Sequence, residues 1–187
     1  MSITTTSRMT AREFMQLAED PHEVRRELVD GEIIASPSPT PRHSAADSIL
    51  RAMLVNHVRA NALGRIFGDV DNVVSEFTVR RPDIFYFSTN RLHLVTADAI
   101  KGPPDLCIEI ISPSSHRTDR SKTLLEYAAF GVAYYWIIDP KAKTAEAFAL
   151  VDGRYALTGN GSGDQTVHFS PFPELEIPLG ELWWPEK

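Results

Sequence analysis

Short apolar runs separated by turn residues alternate along this chain with longer stretches of helical spacing. The period-2 and continuous apolar runs predict strands at 24–28, 32–35, 65–67, 73–79, 84–87, 106–111, 134–138, 144–150, 155–157, 167–169 and 175–177. Helices are predicted from the N-cap Thr10 up to Asp20, over 44–62 and over 115–130. This order predicts an α/β (α+β) fold, a mixed β-sheet flanked by helices, with an added N-terminal helix and hairpin and with C-terminal strands.

Turn and cap residues mark the ends of several predicted elements. Thr10 and Glu13 have the spacing of a capping box at the start of the first helix. Asp30-Gly31, between two strand-like runs, predicts a tight β-hairpin. Gly64 is expected to stop the second helix and Gly131 to cap the third.

The segment 106–138 predicts a strand, a helix and a second strand within about 35 residues, which is typical of a βαβ unit. The two strands should therefore be parallel neighbours in one sheet. In the C-terminal part, Asp152-Gly153 predicts a turn. The glycine-rich segment 159–163 predicts a flexible loop.

Composition describes an ordinary globular chain of 187 residues, with 43% hydrophobic and 24% charged residues. This length favours a single domain over 1–187. No apolar stretch reaches the roughly 18 residues of a membrane-spanning helix, and the N-terminus lacks the apolar core of a signal peptide. The single cysteine, Cys107, is expected to be a buried core thiol. A cytoplasmic setting is expected.

The formal net charge of −6, from 25 acidic and 19 basic residues, argues against general affinity for nucleic acid. The basic residues are nevertheless grouped along the chain, which favours local rather than general DNA contacts. The groups are Arg25-Arg26, Arg51, Arg59, Arg65, Arg80-Arg81, Arg117, Arg120 and Lys122. A merely solvated surface explains the same pattern.

Glu109 is the residue with the strongest chemical signal, because it lies inside an Ile-rich run that predicts a strand buried on both faces. A buried carboxylate needs a cation, backbone N–H groups or a metal ion. Asp83 opens another apolar strand and can lie beside Glu109 across the sheet. Asp105 is four residues from Glu109, about 13 Å along the strand, which is too far to share one metal.

Asp83 and Glu109, with Lys122 early in the next helix, therefore predict a magnesium or manganese site for phosphodiester cleavage. The lysine would hold the attacking water or the phosphate oxygens. Each residue also has a plainer interpretation. Glu109 can be half of a structural ion pair, Asp83 a turn residue after Pro82, and Lys122 an exposed helix residue.

A longer set of motifs resembles the Uma-two family of restriction-endonuclease-like proteins, within the PD-(D/E)xK nuclease superfamily. The matching segments are Glu27-Leu-Val-Asp-Gly-Glu-Ile, His43, Arg81-Pro-Asp83, Pro103-Pro-Asp105-Leu-Cys-Ile-Glu109-Ile-Ile-Ser-Pro-Ser, Asp119-Arg-Ser-Lys122, Tyr127, Gly131-Val132 and Tyr135-Trp-Ile-Ile-Asp139-Pro140. The resemblance covers about residues 10–151. It implies a mixed sheet with flanking helices and a divalent-metal site.

The resemblance also suggests roles for individual residues. Asp83 and Glu109 match the superfamily's acidic pair. The superfamily lysine would fall at Ile111, and the resemblance implies that Lys122 replaces it. Glu27 matches a position that serves some members as an extra metal contact, and it can equally be a salt-bridge partner in the hairpin. His43 follows the Pro-rich segment and is expected to be a surface residue.

The expected function is that of a Mg²⁺- or Mn²⁺-dependent endonuclease that hydrolyses DNA phosphodiester bonds. One alternative is an inactive nuclease-fold module that binds nucleic acid or a partner protein. Another is a structural protein in which Glu109 is a buried ion pair. The acidic charge and the isoleucine at position 111 favour the inactive module. DNA is the expected partner, and a homodimer would suit cleavage of both strands.

Overall fold

Strands dominate the computed structural model, which describes residues 8–17, 25–36, 38–97, 100–112 and 120–185. The α-helices are α1 (Ala11–Phe14), α2 (Pro41–Ala60) and α3 (Arg120–Phe130). The strands are β1 (Arg25–Val29), β2 (Glu32–Ser36), β3 (Gly64–Phe67), β4 (Asn72–Ser75), β5 (Thr78–Arg80), β6 (Ile84–Ser88), β7 (Leu106–Ile110), β8 (Tyr134–Asp139), β9 (Thr144–Val151), β10 (Arg154–Ser162), β11 (Thr166–Phe169) and β12 (Phe172–Pro178). Short 3-10 helices cover Thr89–Leu94 and Leu179–Leu182.

The strands form a six-stranded mixed sheet in the order β10-β9-β8-β7-β6-β3 and a four-stranded antiparallel sheet in the order β2-β1-β5-β4. A ribbon of β11 and β12 completes the C-terminal part. β7 and β8 are parallel neighbours. The predicted βαβ unit is therefore confirmed, although 115–119 of its predicted helix lie outside the described residues.

Helices cover the two faces of the six-stranded sheet. On one face, Leu50 of α2 packs with Ile108 and Trp136. On the other, Tyr127 of α3 packs with Phe85. This alternation explains why β6 and β7 read as continuous apolar runs, since side chains on both of their faces are buried. The predicted mixed sheet with flanking helices is confirmed.

The local signals at α1, the hairpin and α3 act as predicted. Thr10 N donates to Glu13 Oε2 at 2.7 Å and Glu13 N donates to Thr10 Oγ1 at 3.2 Å, which completes the capping box. Asp30 and Gly31 have φ values of 54° and 83°, so the β1–β2 hairpin has its expected left-handed turn. Gly131 has a φ of 90° directly after α3.

The second helix differs from its prediction at both ends. It begins at Pro41, directly after the N-cap Thr40, because proline fits the first helical position. Beyond its end at Ala60, Ala62 takes a φ of 52°. Gly64 is instead the first residue of β3, where a Cβ would stand 2.1 Å from the carbonyl oxygen of Phe87. Gly64 therefore permits close strand approach and does not stop the helix.

The predicted strand 73–79 is wrong as a single element. It folds back at Glu76 and Phe77 into β4 and β5. β5 then pairs with β1 through Leu28 and Val79, in the four-stranded sheet and away from β3. Leu28 and Val79 are fully buried, so apolar side chains from distant segments set this pairing.

The predicted flexible loop at 159–163 is also wrong over most of its length, because β10 runs to Ser162. A Cβ at Gly161 would lie 2.4 Å from Val167 Cγ1, and one at Gly159 would lie 3.0 Å from the Phe169 ring. These glycines let β10 approach the β11–β12 ribbon closely. In this strand glycine reflects tight packing and not a turn.

Two expectations from composition concern burial and membranes. Cys107 is a free thiol that is fully buried in β7, as predicted. Within the described ranges, the helices are all too short or too polar to cross a membrane.

Candidate active site

The antiparallel register of β6 and β7 places Asp83 beside Glu109. Ile84 pairs with Ile108 and Phe85 pairs with Cys107, so the next step of the same register sets Asp83 opposite Glu109. Asp83 directly precedes β6, and its charge acts on Glu109. Their other contacts differ, because Asp83 Oδ2 lies next to His43 of α2 and Glu109 Oε1 accepts a hydrogen bond from Tyr127 of α3.

Asp83 is a buried, ionised carboxylate with three partners. Its Oδ1 accepts a hydrogen bond from Arg25 Nη1 at 2.6 Å, and its Oδ2 accepts one from the Ile110 backbone N–H at 2.8 Å. His43 Nε2 lies 3.3 Å from Oδ2. Burial raises the pKa of Asp83, but the His43 hydrogen bond and the Arg25 charge more than offset it and lower the pKa below its usual value.

Glu109 has the opposite electrostatic character. Burial, followed by the Asp83 charge, raises the pKa of Glu109 to about 8, although Arg25 and a hydrogen bond from Tyr127 oppose the rise. The Tyr127 hydroxyl donates to Oε1 at 3.0 Å. The side chain is only partly buried, however, where the sequence predicted it to be largely buried.

Glu27 lies on β1 near this pair, but its oxygens are already engaged. Oε1 accepts a hydrogen bond from Arg81 N at 2.8 Å, and Oε2 lies 3.3 Å from Arg80 Nη1. This is the geometry of the salt-bridge partner that the sequence left open. A role for Glu27 as an extra metal ligand stays a prediction.

Lys122 lies in the first turn of α3, as expected, and forms an ion pair with the hairpin. Its Nζ is 2.5 Å from Asp30 Oδ2, and the two side chains are 42% and 57% exposed. The contact at Lys122 Nζ is therefore to Asp30 in the β1–β2 turn. Exposed ion pairs of this kind contribute little to stability, so the Lys122 side chain can leave Asp30 at a small cost in free energy. Its assignment as the catalytic lysine stays a prediction.

His43 is not the surface residue that the sequence predicted. It is buried at the third position of α2, on the same helical face as Ala46 and Leu50. The predicted helix begins at Ser44, one residue too late to include His43 in the apolar face. The spacing of 43, 46, 50, 54 and 58 would have placed it inward.

Arg25 belongs to this candidate site, although the sequence marked it only as one member of a basic group. Its guanidinium contacts Asp83 Oδ1 and the Arg81 carbonyl oxygen, and its charge acts on both Glu109 and Glu27. The signal was present: Arg25 and Glu27 are two residues apart on one strand and so face the same side. A buried carboxylate pair needs a neighbouring cation.

Several other charged residues have structural partners. Asp105 accepts hydrogen bonds from Ser88 N at 2.7 Å and Arg91 Nη1 at 2.7 Å, which fixes it away from the pair. Arg80, with a side chain 3% exposed, bridges Glu126 and Glu27. Arg80 is thus a buried structural cation and not part of a DNA-facing surface. Arg117 and the side chain of Arg120 lie outside what the structure describes.

A cleft of about 600 Å³ opens onto Asp83. We call it the Asp83 cleft; its lining includes Arg25, His43, Asp83, Met15 and Arg81. Two buried atoms within this group, Arg25 Nε and His43 Nδ1, lack a hydrogen-bond partner in the described protein. Buried donors and acceptors in native proteins are nearly always satisfied, so these atoms indicate room for a ligand or water.

The side chains at this cleft fit a hard divalent cation. Carboxylate oxygens are preferred ligands of Mg²⁺, which commonly takes only one or two carboxylates and completes its shell with water and substrate phosphate. The described residues hold no group of three His, Cys, Asp or Glu side chains able to cage a metal. Of the predicted pair, Asp83 lines this cleft.

Comparison with known proteins assigns the chain to a family. The family model described as "Uma2: Putative restriction endonuclease" matches residues 11–180. The chain belongs to the Uma2 family. This confirms the resemblance seen in the sequence and extends it to the C-terminal ribbon. No curated protein matches the chain.

A solved structure supports the same assignment at the level of the fold. It is the crystal structure of a putative nuclease belonging to DUF820 from Anabaena variabilis ATCC 29413. The TM-score is 0.79 at 26% sequence identity, with 94% of this chain and 97% of that chain covered. This Uma2 protein therefore has a nuclease-like fold.

Proposed function

We propose that this Uma2 protein is a divalent-metal-dependent endonuclease that hydrolyses DNA phosphodiester bonds at the Asp83 cleft. The observation that carries the proposal is the pair formed by Asp83 and Glu109, which the neighbouring strands β6 and β7 bring close enough for the Asp83 charge to act on Glu109, and whose pKa shifts are opposite. Neighbouring carboxylates with perturbed pKa values, one of them lining a cleft, are typical of catalytic sites. The nuclease-like fold supports the choice of reaction.

Mg²⁺ or Mn²⁺ held by this pair would supply an activated water and neutralise charge on the phosphate. The protein's own contribution is to prepare the ligands. Asp83 is already ionised and fixed by the Ile110 N–H and by His43. Glu109, with a pKa of about 8, must lose its proton to become a ligand, so cation affinity should rise with pH up to that value.

Arg25 is suited to a second role in the same reaction. Its Nη1 lies 2.6 Å from Asp83 Oδ1, and its charge offsets that of the carboxylate pair. A guanidinium at this position can contact the scissile phosphate and stabilise the charge that develops on it. We propose Arg25 as a phosphate contact beside the metal ligands.

The activity is tested by incubating the purified full chain with supercoiled plasmid and single-stranded circular DNA. Nicking should require Mg²⁺ or Mn²⁺ and stop with EDTA, because the metal supplies the activated water. Complete inactivity on both substrates across both metals would contradict the proposal. Parallel reactions with RNA test the choice of nucleic acid.

Lys122→Ala is expected to slow cleavage by about 10² to 10³-fold, the usual effect of removing one electrostatic stabiliser. The prediction requires Lys122 to leave Asp30 and turn toward the phosphate. The exposure of both partners makes this change inexpensive. Initial rates on a labelled oligonucleotide measure it.

Asp30→Asn is the matched control, because it breaks the same ion pair without removing the lysine. It should keep at least the wild-type rate. If Lys122→Ala also cleaves at the wild-type rate, Lys122 serves only the hairpin. The catalytic cation would then be sought at Arg25.

A further inference from the structure

A second cleft, of about 430 Å³, adjoins the Asp83 cleft. We call it the Trp184 cleft; its lining includes Arg42, His43, Ile111, Lys141 and Trp184. His43 lines both clefts, so the two clefts meet at this residue. A ligand in the second cleft would therefore lie next to a ligand at Asp83.

The parallel pairing of β7 and β8 builds the floor of the Trp184 cleft. Ile111 directly follows β7, and its N–H donates to the Ile138 carbonyl oxygen at 2.8 Å. Lys141 follows the end of β8 after Pro140. Because the carboxyl ends of parallel strands meet at one edge, Ile111 and Lys141 come together there. Ile111 is also only two residues beyond Glu109, which ties this cleft to the candidate metal ligands.

Trp184 differs from the other tryptophans of the chain. Trp136 is fully buried and Trp183 is 8% exposed, whereas Trp184 is 48% exposed. Exposed aromatic side chains beside basic ones form the stacking platforms of single-strand nucleic-acid sites. Here the indole accompanies the apolar surfaces of Ile111 and Pro140.

The charge at the Trp184 cleft selects among possible ligands. Arg42 and Lys141 are its cations, and the described lining residues include no acid. This combination favours a ligand with a flat apolar part and a negative charge. A volume of about 430 Å³ lies within the range of roughly 300–1,000 Å³ that is usual for small-ligand pockets, so one nucleotide can be accommodated.

We propose that the Trp184 cleft binds one unpaired nucleobase of the strand whose phosphate lies in the Asp83 cleft. This inference rests on the proposed function for the nature of the substrate. The base stacks on Trp184, and Arg42 and Lys141 contact its flanking phosphates. Extracting a base from a duplex costs unstacking and unpairing energy, so single-stranded DNA is the favoured substrate.

Binding in EDTA tests the inference without any need for cleavage. Fluorescence anisotropy of a labelled single-stranded oligonucleotide is compared with that of an oligonucleotide of equal length made of abasic nucleotides. Wild type should bind the base-containing strand about tenfold or more tightly than the abasic strand, and Trp184→Ala should lose this preference. Trp184→Phe should retain most of it, since a ring remains.

Leu157→Ala is the control, because Leu157 is 51% exposed and lines neither cleft. It should bind both strands as wild type does. Equal wild-type affinity for the two strands, an unchanged preference in Trp184→Ala, or no binding of single strands would each overturn the inference. Circular dichroism checks that the variants are folded.

The outcome is separable from that of the proposed function. Metal-dependent cleavage with no dependence on bases would leave the nuclease proposal standing and remove the stacking site. Base-dependent binding without cleavage of any DNA would support the stacking site and contradict the nuclease proposal.

Discussion

Asp83→Ala and Glu109→Ala are each expected to reduce metal-dependent DNA cleavage by at least about 10³-fold. Each substitution removes a proposed ligand, and with it both the activated water and the charge neutralisation. The loss should be equally complete with Mg²⁺ and Mn²⁺. Initial rates of plasmid nicking with purified full-length variants measure it.

The matched control is Glu174→Gln, which removes an exposed carboxylate from β12, away from the residues lining either cleft. It should cleave at the wild-type rate. Cleavage that survives in both Asp83→Ala and Glu109→Ala would contradict the assignment of the pair. Thermal unfolding must accompany the assay, because Asp83 is part of a buried network.

Substitutions of the two carboxylates are expected to change stability in opposite directions in metal-free protein. Glu109 has a folded pKa of about 8, against an ordinary value of 4.5 for a glutamate carboxyl group. The folded state therefore keeps a proton that the unfolded chain loses, so the free energy of unfolding falls as pH rises from about 4.5 to 8. Glu109→Gln should remove this loss and stabilise the protein by about 2 kcal/mol or more at pH 9, after allowance for its partial exposure.

Asp83 follows the opposite rule, since its folded pKa lies below 3.8. The stabilisation that the ionised Asp83 gives to the folded state is fully present above pH 3.8. It is lost as the pH falls through the folded pKa. Asp83→Asn should destabilise the protein at neutral pH by about 3 kcal/mol, because it leaves Arg25 without its closest counter-charge. The effect should shrink in acid.

Urea unfolding in EDTA at pH 5 and pH 9 compares the two variants with wild type. Glu109→Gln should match wild type at pH 5 and exceed it at pH 9. Glu174→Gln again serves as the control and should follow wild type at both values. Destabilisation by Glu109→Gln at pH 9 would mean that Glu109 is an ionised partner of Arg25.

Local patterns predicted the elements whose causes are local. The capping box of Thr10 and Glu13, the Asp30-Gly31 turn and the βαβ unit follow from residues close in sequence. That Asp83 and Glu109 belong to neighbouring strands was predictable, because Asp83 opens one apolar strand and Glu109 lies inside another. Two such strands, buried on both faces, belong near the centre of one sheet.

Most of the misses have a different cause, which is contact between segments that are not adjacent in the sequence. Arg25 reaches Asp83 across 58 positions of sequence, and β1 is not part of the sheet that carries Asp83. The sequence suggests a loop at Gly161, whereas in the structure the residue lies in β10 with Val167 packed against it. His43 was missed for a local reason, a helix start placed one residue too late. Lys122 was assigned as the catalytic lysine from its order in the chain. Its contact with Asp30 depends on the β1–β2 turn, which is distant in the sequence.

The most direct test of the central claim is Mn²⁺ anomalous diffraction from crystals of wild type and Asp83→Asn, soaked at pH 8 or above so that Glu109 is ionised. One anomalous peak is expected in wild type between the Asp83 and Glu109 carboxylates, about 2.0–2.3 Å from an oxygen of each, and no peak is expected in Asp83→Asn. No peak at millimolar Mn²⁺, with Arg25 still hydrogen-bonded to Asp83, would contradict the claim that Asp83 and Glu109 form a metal site.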